Sequence, residues 1–343
     1  MKVLVVNNAA PFIKGGAEFL AEALTARLNA TPGVAAELMR LPFRWEPSER
    51  LIEEILIHRG LRLTNVDRVI ALKFPAYLVP HHNKVLWLLH QFRQAYDLAD
   101  AGQGLGDTPD QRRIKTAIRR ADDSCFRECR AIYVNSPVTQ ERLRRYNGFG
   151  SEVLYPPLND EALFYPETDD GYIFAGGRVA PGKRQHLLVE AMAQTPPDVR
   201  LVIAGPPETE AYADHLRRQV AALDLAGRVE LRLGLRPREE IAELTRRARA
   251  CAYLPFDEDS LGYVTMEAFA CGKPVLTTED SGGLLEIVSE ATGAIAPPTA
   301  EGLAAGLASL ASPGAARERG AAAKAEWERR ELSWSKVLAR LLA

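Results

Sequence analysis

Tyr172-Ile173-Phe174-Ala175-Gly176-Gly177-Arg178-Val179-Ala180-Pro181-Gly182-Lys183-Arg184 runs four apolar residues into a glycine loop, and a stretch of helical period follows it. A short apolar run, a glycine turn and a helix make one strand–loop–helix unit. Whether that unit repeats decides the fold. Toward the C-terminus, apolar β-rich runs recur at 199–204, 228–233, 251–255, 274–278 and 293–296, separated by segments of helical period. Toward the N-terminus an equivalent series stands at 2–7, 35–41, 67–72, 84–89, 131–135 and 152–155. Strands that alternate with helices predict parallel sheets covered by helices, so the expected fold class is α/β, with two successive series. Between them, Tyr155-Pro156-Pro157 to Asp170 is rich in proline and acid and poor in periodicity, which places the expected domain boundary near residue 168.

Composition agrees with two soluble domains. The 343 residues exceed one domain of about 100–200 residues. With 47% hydrophobic and 26% charged residues, the chain is neither disordered nor fibrous. Lys and Arg number 43 against 45 Asp and Glu, a net charge of −2, so no global positive field draws it to nucleic acid. The four cysteines form no Cys-x-x-Cys pair, which argues against a disulfide framework or zinc spacing and fits a reducing cytosol. No apolar run approaches the ~20 residues of a membrane span. Cytoplasmic residence is therefore expected.

Open α/β sheets bind ligands in the loops at the carboxyl ends of their strands. Polar and glycine residues fall there, at 7–16, 90–93, 135–136, 176–184, 205, 257–262 and 281–283. The loop after the opening stretch is an anion site by its chemistry, because unpaired backbone N–H groups and the helix dipole both favour negative charge. Its spacing Gly177-x-x-x-x-Gly182-Lys183 imitates a P-loop, but Arg184 stands where magnesium needs Ser or Thr. Arg178 and Lys183 read instead as two cations for one diphosphate, the first bidentate and the second point-like. A solvated turn with two surface cations is the simpler alternative.

A second constellation runs from Pro255 to Pro274. A helix starting near Gly262 would offer the amides of Leu261, Gly262 and Tyr263 to an anion, with Ser260 beside them and Glu267 one turn inside. For Asp259 a plain N-cap is an open alternative, and for Glu267 a solvated helix face. Asp257-Glu258-Asp259 also spells the Asp-x-Asp of a divalent-metal site.

Asp259, seven residues and Glu267, followed by Ala268-Phe269-Ala270-Cys271-Gly272-Lys273-Pro274-Val275, resembles the signature of retaining glycosyltransferases of the GT-B fold, glycosyltransferase family 4. Gly15-Gly16-Ala17-Glu18, Asn135-Ser136, Tyr155-Pro156-Pro157, the Arg178 to Lys183 loop and Ile203-Ala204-Gly205 stand in the order of that family. The resemblance implies two Rossmann-like domains with parallel sheets facing a central cleft. Residues 1–168 would form the acceptor-side domain, 169–325 the nucleotide-sugar domain, and 326–343 a helix packing back on the first. It further implies that Arg178 and Lys183, with Gly177 and Gly205, bind the donor diphosphate, that Glu267 binds the ribose, and that Asp259 binds the donor sugar. Gly15 and Gly16 would approach the diphosphate from the first domain, and His90 would lie beside the donor sugar. Family members commonly carry Glu where this chain has Asp259, one methylene shorter, which leaves the donor sugar open.

The implied activity is retaining transfer of a sugar from a nucleotide diphosphate sugar, UDP- or GDP-linked, to the hydroxyl of a carbohydrate, glycolipid or small-molecule acceptor. Neither metal nor cofactor is implied, since the two cations would neutralise the leaving group. An epimerase or phosphorylase on the same layout, and a non-catalytic nucleotide-sugar-binding protein, are the alternatives. An oxidoreductase is disfavoured because 7–16 lacks Gly-x-Gly-x-x-Gly. Residues 97–110, with Gly102, Gly104 and Gly106, read as a mobile loop near the acceptor. Arg112, Arg113, Lys115, Arg119 and Arg120 crowd one expected helix, either as a solvated face or as a weak peripheral contact with the inner face of a membrane.

Overall fold

The computed structural model of the protein describes residues 1–9, 11 and 15–343. All twelve expected strands form, six in each of two wholly parallel sheets. The first sheet contains β1 (Lys2–Ala9), β2 (Ala35–Pro42), β3 (Arg68–Ala71), β4 (Lys84–Leu88), β5 (Cys129–Val134) and β6 (Glu152–Val153), in the order β2-β1-β3-β4-β5-β6. β3 and β4 are buried along their whole length because helices cover both faces, which is why, after Arg68 and Lys84, their sequence is apolar without alternation. One face packs Val3, Val5 and Trp87 against Leu20 and Leu24 of helix Gly16–Asn29 and against Trp334 and Leu341 of helix Trp334–Leu342. The other packs Leu4, Val6 and Leu86 against Leu51 and Ile55 of helix Leu51–Gly60 and Ile114 and Ile118 of helix Pro109–Glu128.

The second sheet contains β7 (Tyr172–Gly176), β8 (Arg200–Gly205), β9 (Val229–Leu233), β10 (Ala250–Ala252), β11 (Val275–Thr278) and β12 (Gly293–Ala296). Its order, read from β9, is β9-β8-β7-β10-β11-β12. That is the 3-2-1-4-5-6 order of a doubly wound dinucleotide-type sheet, whose ligand crevice lies where the order reverses, beyond the carboxyl ends of β7 and β10.

The chain divides into two compact units, Met1–Asn159 with Ser333–Ala343, and Asp160–Leu332. The boundary thus lies at 159/160 rather than near 168. Ion pairs explain the difference: Arg238 binds Asp160, Arg246 binds Glu167 and the Leu163 carbonyl, and Lys273 Nζ donates to the Glu167 carbonyl, all within the second unit. The tail divides later than at 326, because helix Pro313–Arg330 stays with the second unit. Only Ser333–Ala343 joins the first, where the Trp334 indole N–H donates to the Leu158 carbonyl at 3.0 Å and Arg68 donates to the carbonyls of Leu341 and Ala343.

Residues 97–110 are not a loose loop. Asp97–Asp100 is a helical turn, Leu105 is buried with its N–H on the Gln94 carbonyl at 2.7 Å, and a Cβ on Gly104 would overlap that same carbonyl. Part of the basic run holds this segment down: Lys115 pairs with Asp107, and Arg119 donates to the Ala95 carbonyl and lies over the Tyr96 ring. No helix among the described residues is long and apolar enough to cross a membrane.

Candidate functional site

β7 and β8 end in glycines because their carboxyl ends nearly touch. A Cβ on Gly205 would overlap the Gly177 carbonyl oxygen, and one on Gly177, where φ is +102°, would lie 3.1 Å from Val264 Cγ2. The glycine loop and the first turn of helix Tyr263–Ala270 are therefore packed together, joining the two constellations at the crevice. Beyond the loop, Pro181–Lys183 forms a single 3-10 turn and helix Gln185–Met192 begins after Arg184.

Arg184, at the place of a P-loop hydroxyl, is a structural tie. Its guanidinium donates to the Leu254 and Pro255 carbonyls, to Thr278 Oγ1 and to both oxygens of Asp280, fastening the loop to the ends of β10 and β11. The Arg184 guanidinium in turn holds the Asp280 carboxyl below the usual range. With Arg184 committed, Arg178 and Lys183 are the loop's other two cations. Arg178 is half-exposed and sits 3.5 Å from Glu208. Lys183 is four-fifths covered, donating to Tyr253 Oη at 2.8 Å and to Glu258 Oε2 at 2.5 Å. Burial alone would depress its ammonium, and Tyr253 and Glu258 more than reverse that, so its pKa lies above the lysine value.

The helix starts where expected, with Gly262 as N-cap at φ +72°, and a Cβ there would lie 2.7 Å from the Tyr253 ring. Asp259 is therefore not the cap; it is a buried side chain three residues ahead. Of the three expected amides, Gly262 N–H donates to Ser260 Oγ at 3.3 Å. Glu267 is not on a solvated face. It is buried and accepts from Arg238 at 2.7 Å, and burial pushes its carboxyl up to about 7 although Arg238 pulls the other way. Arg238 also makes a fork with both oxygens of Asp160, at 2.6 and 3.0 Å.

In the first unit, Gly15 is the N-cap of helix Gly16–Asn29, and its N–H donates to Glu18 Oε2 at 2.8 Å. Residues 10 and 12–14 of the loop between β1 and that helix lie outside the described residues. His90 follows β4 and donates from Nδ1 to the Gln91 carbonyl at 2.7 Å. Ser136 caps helix Pro137–Asn147, and Asn135 Oδ1 accepts from Thr139 Oγ1 at 2.7 Å. So Gly177, Arg178, Lys183, Gly205, Ser260, Leu261, Gly262, Tyr263, Asp259 and Glu267 gather at the carboxyl edge of the second sheet. Gly15, Gly16 and His90 stand at that of the first.

Sequence reasoning missed Tyr253, Glu258, Arg238 and Asp160 as partners of site residues. Among the described residues no three His, Cys, Asp or Glu side chains are grouped to hold a metal ion. In the Asp257-Glu258-Asp259 triplet the middle residue, Glu258, is turned to Lys183.

Comparison with known proteins agrees with this architecture. Residues 164–327 match the family model described as Glycosyl transferases group 1. D-inositol 3-phosphate glycosyltransferase of Mycolicibacterium smegmatis is 32% identical over 152 residues, 43% of this chain and 34% of the relative. The enzyme of that name from Mycolicibacterium paratuberculosis is 33% identical over 189 residues, 53% of this chain and 41% of the relative. The matched span is thus about a third of the length of the first of these curated relatives. Among solved structures, sucrose-phosphate synthase of Thermosynechococcus elongatus superimposes with a TM-score of 0.73 at 19% identity, covering 99% of this chain and 97% of the other. Anabaena HepE in complex with UDP-glucose gives 0.71 at 19% identity, covering 100% and 98%. The chain has the GT-B fold, and its residues 164–327 are similar to the glycosyl transferases group 1 family.

Proposed function

We propose that the protein is a retaining glycosyltransferase that moves a sugar from a UDP- or GDP-linked donor to an acceptor hydroxyl, without a metal or other cofactor. The observation that carries this reading is the packing of the glycine loop, with Arg178 and Lys183, against the first turn of helix Tyr263–Ala270 inside the family-matched segment. The departing diphosphate gains negative charge as the glycosidic bond breaks. Cations and helix-start amides that bond to it stabilise that charge more in the transition state than in the ground state. The departing oxygen lies on the face the acceptor approaches and takes the acceptor's proton, so no carboxylate nucleophile is needed and the anomeric configuration is kept. Glu267, held by Arg238, accepts from ribose hydroxyls, and Asp259 from a hydroxyl of the sugar.

The HepE complex makes UDP-glucose the first donor to try, and the inositol phosphate enzymes make a cyclitol phosphate the first acceptor. In the cell, polysaccharide, lipopolysaccharide or glycolipid synthesis would use such a transfer. The test is release of nucleoside diphosphate from a panel of nucleotide sugars with and without acceptor, in buffer containing EDTA, with the product's anomeric configuration read by NMR. Acceptor-dependent release with retention is expected. Inversion, or release that EDTA abolishes, would contradict the mechanism.

A further inference from the structure

The ammonium of Lys183 is already engaged in the structure. Two of its three N–H bonds go to Glu258 Oε2 and Tyr253 Oη, and the Tyr253 hydroxyl donates to that same Glu258 oxygen at 3.1 Å. The three groups close a ring of hydrogen bonds across the crevice, one from the loop after β7 and two from the segment after β10.

The carboxylate is delivered by a fixed main chain. Glu258 N–H donates to the Ser281 carbonyl at 3.1 Å, Gly283 N–H donates to the Glu258 carbonyl at 2.7 Å, and Glu258 pairs with Gly282 in an isolated parallel bridge. A Cβ on Gly282 would lie 2.5 Å from the Glu258 carbonyl oxygen, so the two backbones stay in contact only because that residue is glycine. Glu258 can therefore leave Lys183 by turning about its side-chain bonds, not by moving its backbone. Its side chain is 21% exposed, which gives the turned carboxylate access to water.

A carboxylate carries one negative charge, whereas a diphosphate carries more charge and more acceptor oxygens, so the larger anion wins Lys183 while it is bound and the carboxylate regains it as the anion departs. We infer that Glu258 is a latch that competes with the donor's diphosphate for Lys183 and governs release of the nucleoside diphosphate product. The inference rests on the reading of Lys183 as a diphosphate ligand. Glu258 itself touches neither donor nor acceptor in this account; it acts through Lys183.

The test uses the full chain, with UDP, GDP, UMP and GMP titrated calorimetrically into the wild type, Glu258→Gln and Glu258→Ala. Whichever diphosphate binds should bind about tenfold tighter to both variants, while its monophosphate, too short to reach Lys183, changes by less than about twofold. Diphosphate affinity that is unchanged or weaker in variants of normal melting temperature overturns the latch and leaves the donor reading standing. Equal tightening of monophosphate and diphosphate also overturns it, because that reports only the general field of an acidic segment. Should both Glu258 variants unfold, Tyr253→Phe, which removes one member of the ring and no charge, must tighten the diphosphate in the same direction, and no change there overturns the latch. If the folded wild type and variants bind no nucleoside diphosphate, the donor reading falls and takes the latch with it.

Discussion

Lys183 and Glu267 are two candidate-site side chains whose surroundings change what they can do. Truncating Lys183 leaves Glu258 and Tyr253 bonded to each other, with Glu258 partly open to water, so Lys183→Ala is expected to fold with a slightly lower melting temperature. Its kcat should fall by ~10²–10³, the usual cost of losing one donor to a developing oxyanion. Steady-state kinetics and calorimetry on one sample check both, and normal turnover would refute the assignment. Glu267 carries a pH signature. Its folded pKa of about 7 lies above the ordinary 4.5, so the fold favours the protonated form. That contribution is complete below about 4.5 and is lost as pH rises through about 7. Unfolding free energy should therefore drop by on the order of 3 kcal/mol between these limits. Glu267→Gln, which cannot ionise, should flatten that part of the profile; a profile of unaltered slope would show that Glu267 does not titrate there. Arg178, Lys183, Asp259 and Glu267 could be picked out of the sequence because loop spacing and a helix start announce them. Glu258, Tyr253, Arg238 and Asp160 could not, because their pairings join segments 29 to 78 residues apart that only the folded sheet brings together.

At the scale of elements, the inner strands were readable because cover on both faces makes them short apolar runs with little ambiguity. Loops were less readable. Glycines at 102–106 looked like freedom, yet Gly104 is there because the Gln94 carbonyl leaves no room for a Cβ. The site's own glycines separate in the same way. Gly205→Ala would force the ends of β7 and β8 apart, and a loss of about 3 kcal/mol or more is expected. Gly182→Ala, with no atom within 4 Å of the new Cβ, should change stability by less than about 1 kcal/mol. Chemical denaturation of the pair distinguishes them, and equal costs would mean that the two glycines are not doing different jobs.

For the whole molecule, the sequence showed two series of strands but not where the chain passes between units, because the acidic linker is drawn to arginines of the second unit that follow it by about 80 residues. The last segment gives a test. Truncation after Leu332 removes Trp334, Val337 and Leu341 from the first core and leaves Arg68 without its two carbonyl acceptors. A loss on the order of 5 kcal/mol is expected in the first unit alone. In scanning calorimetry the transition of the second unit is marked by its response to a nucleoside diphosphate, about 2.7 kcal/mol at a hundred times its dissociation constant; truncation that lowers that transition would contradict the division.

The most direct test of the central claim is a crystal of the protein soaked with UDP or GDP. Density for the diphosphate is expected at the carboxyl ends of β7 and β10, with phosphate oxygens bonded to Lys183 and Arg178 and facing the first turn of helix Tyr263–Ala270. A diphosphate ordered elsewhere on the molecule, with Lys183 untouched by it, would contradict the account.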